Sequence, residues 1–391
     1  MSYRLTIYCP DQHLIYDGHT PERRGIGGGV TARIRLARAL ARRGNQVTMI
    51  CNCPRKGRFD DVRYLPVQDV RRIEADVLIL SSSGGALDLR PALDLEIEAR
   101  LRLVWVHGTT PPGGIHQVPF DYLYTPSNFL RRIVREEWGI PPAKIFVSYN
   151  GVERSFFQPT LLDWPRRNPY RLVYTGHPDK GLQAALGVLR MLRTQDPRFE
   201  LHIYGGDGLY GGKDQPLAQE SGVVYHGTVG QRRLCQELKR DNIAINLQAR
   251  PEPFGITLVE SMAAGCIVLA SPVGAYPDLV RHGYNGFLIS GEHTAHETQA
   301  KAASLIVDLV QHPDFADFIR RNAQATPLDS DTLARACEEH WEWALGKAPS
   351  VACTDTCPEC GGAWLALADG YHCIGCGRYS QIPQAFANDG F

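Results

Sequence analysis

The sequence predicts an α/β protein: two consecutive domains, each a parallel sheet covered by helices, followed by a small cysteine-rich module. Three observations predict this. Short, near-continuous apolar runs with β-branched residues recur along the first 340 residues and alternate with segments of helical periodicity. That pattern marks strands buried on both faces and joined by helical crossovers. The alternation restarts near Tyr170, after a stretch without apolar periodicity. Five of the eleven cysteines fall within the 24 residues from Cys353 to Cys376.

In the first domain, Tyr3–Cys9 (YRLTIYC) reads as a strand. Thr31–Arg43 carries Ile34, Ala37 and Ala41 at helical spacing until Gly44 stops it, and Gln46–Cys51, Ala75–Leu80 and Arg102–Val106 supply further strands. Ser155–Asn168 holds Pro159 and Pro165 and reads as a linker. In the second domain, Arg171–Gly176 is a strand, Lys180–Leu192 a helix and Glu200–Gly206 a strand. Val223–Val229 and Ala244–Gln248 are strands, Ile256–Ala264 is a helix, and Cys266–Ala270 is a buried strand. Asp331–Leu345 predicts a last helix, broken by Ala348–Pro349. The expected domains are therefore 1–157, a linker over 158–169, a second domain over 170–330, a helix over 331–348 and a module over 350–391 that reads as independent.

The 391 residues imply two or three domains. Lys plus Arg and Asp plus Glu both number 42, which argues against a wholly basic nucleic-acid binder. No run of about 18 apolar residues exists, so no membrane helix is expected, and the N-terminus has no basic region followed by an apolar core. A cytoplasmic protein is the expectation, with a peripheral seat at the inner membrane face left open. Arg35, Arg38 and Arg42 recur at helical spacing and read as a solvated face.

The strongest composite signal is PEPFGITLVESMAAG, in which Glu252 precedes a Pro-Phe-Gly turn and Glu260 lies inside the helix that follows. A helix start offers free backbone N–H groups to an anion such as a diphosphate. Flanking carboxylates accept hydrogen bonds from sugar hydroxyls. A capping Glu with a solvated helix Glu is the competing explanation of the spacing. Gly27-x-Gly29-x-x-Ala32 matches a dinucleotide fingerprint, but it stands about 17 residues after its strand and the second strand ends in CNCPRKGR without an acid. That context argues against a nicotinamide enzyme.

The stretch EPFGITLVESMAAGCIVLASPVGAYPDLVRHGYNGFLI closely resembles the donor-site signature of retaining glycosyltransferases of GT-B architecture, the GT4 family, with its two glutamates separated by seven residues. GGGVTARIRLARALARRGNQVTMI, PSNFLRR, FVSYNGVERSFF and YTGHPDKGLQAAL resemble further pieces of that family in the expected order. The likeness spans about residues 1–345. It implies two Rossmann-like domains facing a cleft, and a metal-independent transfer of a sugar from a nucleotide-diphosphate sugar to a hydroxyl acceptor that is a sugar, a lipid-linked molecule or a small molecule. Glu252 would bind the transferred sugar and Glu260 the ribose. Lys180 would neutralise the diphosphate, with Ile256, Thr257 and Leu258 offering amides to it after Gly255. Gly28 and Gly29 would let the backbone approach it from the opposite domain. His107 would sit beside the reacting carbon. The family usually has Arg where this chain has His177. A nucleotide-sugar epimerase or hydrolase on the same fold, and a catalytically weak adaptor, are the rival readings.

At the C-terminus, Cys357-x-x-Cys360 and Cys373-x-x-Cys376 stand twelve residues apart, each pair followed by Gly. Four thiolates in two knuckles suit tetrahedral zinc in a closed, structural ribbon. Cys353 is an extra thiol. Arg378 is the only basic residue after Cys357, so nucleic acid is the least expected partner, and a protein partner for the ribbon stays open.

Overall fold

The structure, a computed structural model, describes residues 2–83, 86–160, 167–215, 219–326, 329–346 and 352–381. Much of the expected linker lies outside the described residues. The chain divides into two compact units, one of residues 1–18, 32–151 and 328–391, the other of residues 19–31 and 152–327.

In chain order the elements of the N-terminal half are β1 (Arg4–Tyr8), α1 (Thr20–Arg23), α2 (Gly28–Arg42), β2 (Gln46–Cys51), β3 (Gly57–Phe59), β4 (Val62–Pro66), β5 (Arg72–Ser82), β6 (Glu96–Val106), β7 (Tyr122–Thr125), α3 (Asn128–Glu136) and β8 (Ile145–Val147). The sheet of the first unit runs β3-β4-β2-β1-β5-β6-β7-β8. All its pairings are parallel except β3 with β4. Chain direction across this sheet reverses between β1 and β5, which makes their carboxyl ends a topological switch point. Helix α2 stops because Gly44, at φ 90°, takes the left-handed conformation and its N–H bonds the Ala41 carbonyl. The predicted solvated arginine face of α2 is corrected here. Arg35 and Arg38 are buried, with Arg38 paired to Asp60 at 2.7 Å and bonded to the Gly18 carbonyl, and Arg35 bonded to the Gly151 carbonyl. Their long stems fill apolar space while the guanidinium finds backbone and carboxylate acceptors.

The second unit carries α4 (Arg154–Phe157), β9 (Arg171–Thr175), α5 (Leu182–Gln195), β10 (Glu200–Tyr204), β11 (Val223–Gly227), α6 (Gln231–Leu238), β12 (Ile243–Asn246), α7 (Ile256–Ala264), β13 (Ile267–Ala270), α8 (Tyr276–Leu279), β14 (Phe287–Leu288), α9 (His296–Gln311) and α10 (Pro313–Ala325). Its sheet, β11-β10-β9-β12-β13-β14, is wholly parallel. The order in which strands are added reverses between β9 and β12. The fully buried faces of β9, β12 and β13 pack Leu172, Ile245 and Leu269 against Leu182 and Leu189 of α5 and Ile306 of α9.

Helix α11 (Ser330–Ala344) belongs to the first unit. Its Trp341 is fully buried, edge-on to Tyr3 at 5.7 Å and donating to the Tyr124 hydroxyl at 3.1 Å. Strands β15 (Ala352–Thr356), β16 (Ala363–Leu367), β17 (Gly370–Cys373) and β18 (Tyr379–Ser380) form an antiparallel ribbon. The sequence reads this ribbon as independent, but it is seated on α3 and β8. Arg131 of α3 donates to the Cys376 carbonyl at 2.8 Å and pairs with Glu359 at 2.6 Å. Asn128 exchanges two hydrogen bonds with the Tyr379 backbone, and His372 stacks on Phe146 of β8 at 4.3 Å. β8 is the outer strand of its sheet, so the ribbon covers an edge that would otherwise be open. No helix among the described residues is long and apolar enough to cross a membrane.

Candidate functional site

The second unit places its chemistry beyond the carboxyl ends of β9 and β12, the switch-point position where open α/β sheets bind ligands. After β9 the chain leaves through Gly176 into a short 3-10 turn, Pro178–Lys180, that ends in Lys180. Beyond β12 the loop runs to Glu252. The two loops are pressed together at Gly181, where an added Cβ would stand 2.0 Å from the Leu247 carbonyl oxygen. Only glycine allows that approach. It brings Lys180 Nζ to 2.6 Å from Glu252 Oε1, with both side chains largely buried. Glu252 is further held by its carbonyl, which accepts from Ala275 N–H at 2.9 Å.

Helix α7 starts directly after this loop. Gly255 caps it at φ 91°, and a Cβ there would strike the Tyr276 ring at 2.5 Å. The Leu258 N–H is already bonded to the Gly255 carbonyl at 3.1 Å. Ile256 and Thr257 therefore remain as the amides at the helix head, a smaller set than the three that the resemblance implies. The first turn of α7 holds no acidic residue, so nothing of the helix itself opposes an anion there. Glu260 is buried one turn on, with Gln231 Nε2 at 3.4 Å.

Gly28 lies in the segment grouped with this unit, and its missing Cβ would be 3.0 Å from Ile256 Cγ2. Gly29 follows it in the first turn of α2. His177 does not point a free nitrogen at this region. Its Nε2 meets Asp207 Oδ1 at 2.9 Å and its Nδ1 accepts the Asp179 N–H at 3.3 Å. His177 is thus a strut between the loops after β9 and β10. Asp207 and Gly181 were not singled out from sequence. Asp207 sits in a YGGDG turn after β10, the one local signal that marks it.

His107 follows β6 in the first unit. Burial and then the Arg33 charge push its pKa down to about 3, so the ring is neutral. Its Nε2 has no hydrogen-bond partner among the described residues.

In the ribbon, the thiols of Cys357, Cys360, Cys373 and Cys376 all lie within 4.8 Å of one another. The pairs Cys357–Cys376 and Cys360–Cys373 are 3.7 and 3.4 Å apart. Tetrahedral zinc at ~2.3 Å from each sulfur sets neighbouring sulfurs ~3.8 Å apart, so the donor set fits. Gly361 and Gly377, at φ 71° and 70°, turn both knuckles alike, and the Gly362 N–H points at Cys360 sulfur at 3.4 Å. The side chain of Cys353 lies outside the described residues.

Residues 170–324 match the family described as glycosyl transferases group 1. Among curated relatives, a D-inositol 3-phosphate glycosyltransferase of Streptomyces griseus subsp. griseus is 31% identical over 43% of this chain and 37% of its own length. A phosphatidyl-myo-inositol mannosyltransferase of Mycobacterium tuberculosis is 29% identical over 41% of this chain and 43% of its own. The chain spans about two fifths of the length of these curated relatives. Among solved structures, Anabaena HepE in complex with UDP-glucose aligns over 88% of this chain and all of that one, with a TM-score of 0.60 and 18% identity. A Thermosynechococcus elongatus sucrose-phosphate synthase aligns over 88% of this chain and all of its own, with a TM-score of 0.62 and 14% identity. The α/β architecture is that of GT-B glycosyltransferases.

Proposed function

We propose that the protein transfers a sugar from a nucleoside-diphosphate sugar to a hydroxyl acceptor with retention of anomeric configuration and without a metal at the transfer site. The observation that carries this reading is the Lys180–Glu252 pair, 2.6 Å apart, beside the unopposed head of α7. Cleavage of the donor builds negative charge on the departing phosphate. Lys180 and the Ile256 and Thr257 amides are preorganised for that charge and stabilise the transition state without a divalent ion. Once the diphosphate takes the Lys180 charge, the Glu252 carboxylate is released to hydroxyls of the transferred sugar. Glu260 is assigned to the ribose, and Gly28 and Gly29 to close backbone approach. His107 serves as a neutral hydrogen-bonding group.

In the proposed step the bond from the anomeric carbon to the β-phosphate oxygen breaks, its electron pair leaving with the oxygen. The acceptor oxygen bonds that carbon on the same face, and its proton passes to the departing phosphate. The acceptor class follows the relatives in outline: their names specify inositol-type acceptors, and the HepE structure holds UDP-glucose. In the ribbon we assign one structural zinc to Cys357, Cys360, Cys373 and Cys376, where it supplies folding free energy to a module with little core of its own. The test is a thermal-shift screen of nucleotides and nucleotide sugars, followed by an assay of nucleoside diphosphate release with the donor that binds. Stabilisation by a nucleoside diphosphate and donor turnover are expected. A protein that binds no nucleotide contradicts the proposal.

A further inference from the structure

Strand β2 ends in two thiols one residue apart, Cys51 and Cys53, in the run ICNCP. Both are free and buried. The strand leaves through a γ-turn, closed by the Cys53 N–H donating to the Cys51 carbonyl at 2.8 Å. In extended chain, residues two apart have Cα atoms ~7 Å from each other, the outer limit for a disulfide. The turn folds Cys51 and Cys53 inside that limit, and their side chains are hydrogen-bonded to each other.

The two sulfurs are unequal. The hydrogen bond from Cys51 is the main cause that holds the Cys53 pKa below the ordinary thiol value, with burial opposing it. Burial pushes the Cys51 pKa well up. Cys53 therefore ionises first and Cys51 stands beside it as the proton donor, the division between an attacking and a resolving thiol. Exposed Pro54, Arg55 and Lys56 follow, so Cys53 is one residue from solvent and close to cations in sequence. The neighbouring thiol is committed elsewhere: Cys9 donates to Asp11 Oδ2 at 3.1 Å, and burial pushes its pKa up to about 11.

The same turn is a joint between two segments. The Asn52 carbonyl accepts the Tyr16 N–H at 3.0 Å, Asn52 Nδ2 donates to the Gln12 carbonyl at 2.9 Å, and Cys51 Sγ donates to the Tyr16 carbonyl at 3.9 Å. A disulfide removes the Cys51 S–H that makes the last of these. It also draws the sulfurs from hydrogen-bond distance to ~2.05 Å, which re-aims the Asn52 peptide between them.

We infer that Cys51 and Cys53 are a redox pair whose disulfide releases the segment from Gln12 to Tyr16 from the end of β2. The oxidant is a hydroperoxide. The Cys53 thiolate attacks a peroxide oxygen, the O–O bond breaks, and hydroxide leaves to take a proton from solvent, so that Cys53 becomes a sulfenic acid. Cys51 sulfur then bonds Cys53 sulfur while the S–O bond breaks, and the departing hydroxide takes the Cys51 proton as a second water. Two electrons pass from the thiol pair to the peroxide. A dithiol reductant restores the thiols by exchange. None of this depends on the transfer activity proposed above.

The experiment treats the full chain with hydrogen peroxide, alkylates the remaining thiols and maps tryptic peptides by mass. Cleavage after Arg43 and Arg55 leaves both cysteines in the peptide 44–55. Its disulfide form escapes alkylation and is lighter than the dithiol by two hydrogen atoms, while oxygen added at Met49 is seen separately. This peptide should convert at least about ten-fold faster than Cys266 and Cys337 lose alkylation, because thiolate character sets the rate. Hydrogen exchange over residues 12–18 should then rise about ten-fold, as a local opening would make it, and return on reduction with dithiothreitol. Cys53→Ser should form no link and keep its protection under peroxide. Cys51→Ser, which lacks the resolving thiol, should stop at a Cys53 sulfenic acid captured by dimedone. Three results overturn the inference: both thiols still alkylated after Cys266 has reacted, a link from either one to a different cysteine, or a Cys51–Cys53 disulfide with exchange over 12–18 unchanged.

Discussion

Beyond the strand ends of the second unit the charged groups face each other directly: Lys180 lies 2.6 Å from Glu252, and the first turn of α7 holds no acidic residue. Beyond those of the first unit Arg33 Nη1 lies 3.5 Å from Asp11 Oδ2, while Arg33 Nε and Nη2 are buried without a hydrogen-bond partner among the described residues, as are His13 Nδ1, Ser83 Oγ and His107 Nε2. The same topological device, a reversal of strand order in a parallel sheet, thus carries two different arrangements of charge. A diphosphate needs a cation and dipoles that respond to charge developing in the transition state. The difference teaches that topology selects where a site forms, while the pairing state of the charges selects what it takes.

The largest expected effect tests the charged half. Glu252→Ala should abolish transfer with the circular dichroism spectrum unchanged, and Lys180→Ala should lower kcat by ~2–4 kcal/mol of transition-state stabilisation, about a hundred- to a thousand-fold. A rise in KM alone for Lys180→Ala would make it a ground-state ligand and remove the contrast drawn here. Next comes the glycine that brings the two halves of that pair together. In Gly181→Ala the new methyl meets the Leu247 carbonyl at 2.0 Å, and backbone must shift. Steady-state kinetics should show transfer falling at least ten-fold, with a modest loss of melting temperature; full activity would mean that the loop spacing does not matter.

The ribbon gives a third test. Chelation or Cys373→Ser should unfold it, remove cover from β8 and leave Arg131 buried without its partner. Loss of one partner of a buried pair costs ~3–5 kcal/mol. Hydrogen exchange should rise in α3, β7 and β8, while β9 and β12 keep their protection and nucleotide still binds. Equal loss of protection in both sheets would contradict the assignment of the ribbon to the first unit alone.

The smallest effect is on pH dependence. His107 titrates at about 3 and His340, buried against Phe146, lies well below the ordinary 6.5. Their folded pKa values are depressed, so the unfolded chain binds protons that the fold refuses. The stability they contribute is complete above about 6.5 and is lost as pH falls below it toward the folded values. Melting of the first unit should therefore drop between pH 7 and pH 5. The matched test is His340→Phe, which should flatten that slope; an unchanged slope would show that the ring is protonated in the fold.

How much of this the sequence carried depends on distance along the chain. The turn, helix start and strand around Glu252 and Glu260 were legible because they lie in one short stretch and follow directly from residue type. The four-cysteine cluster was legible for the same reason. The buried polar cluster of the first unit was not: Arg33, Ser81 and Asp11 come from separate segments and meet only through strand register. The arginines of α2 misled because helical spacing of charged residues usually marks a wet face, whereas Arg33, Arg35 and Arg38 are buried. The ribbon's docking depends on Arg131 and Glu359, which are 228 residues apart. His177 drew notice as a departure from the family pattern, but only the structure reveals that Asp207 and the Asp179 amide have claimed both its nitrogens.

The central claim is that this chain moves a sugar from a nucleoside diphosphate with its configuration kept. Proton NMR of the reaction tests it most directly: donor, acceptor and enzyme together, with the anomeric coupling followed before the product can mutarotate. An α-linked donor should yield an α-linked glycoside, at a rate that collapses in Glu252→Ala. A β-linked product, or the same rate in that variant, would contradict the account.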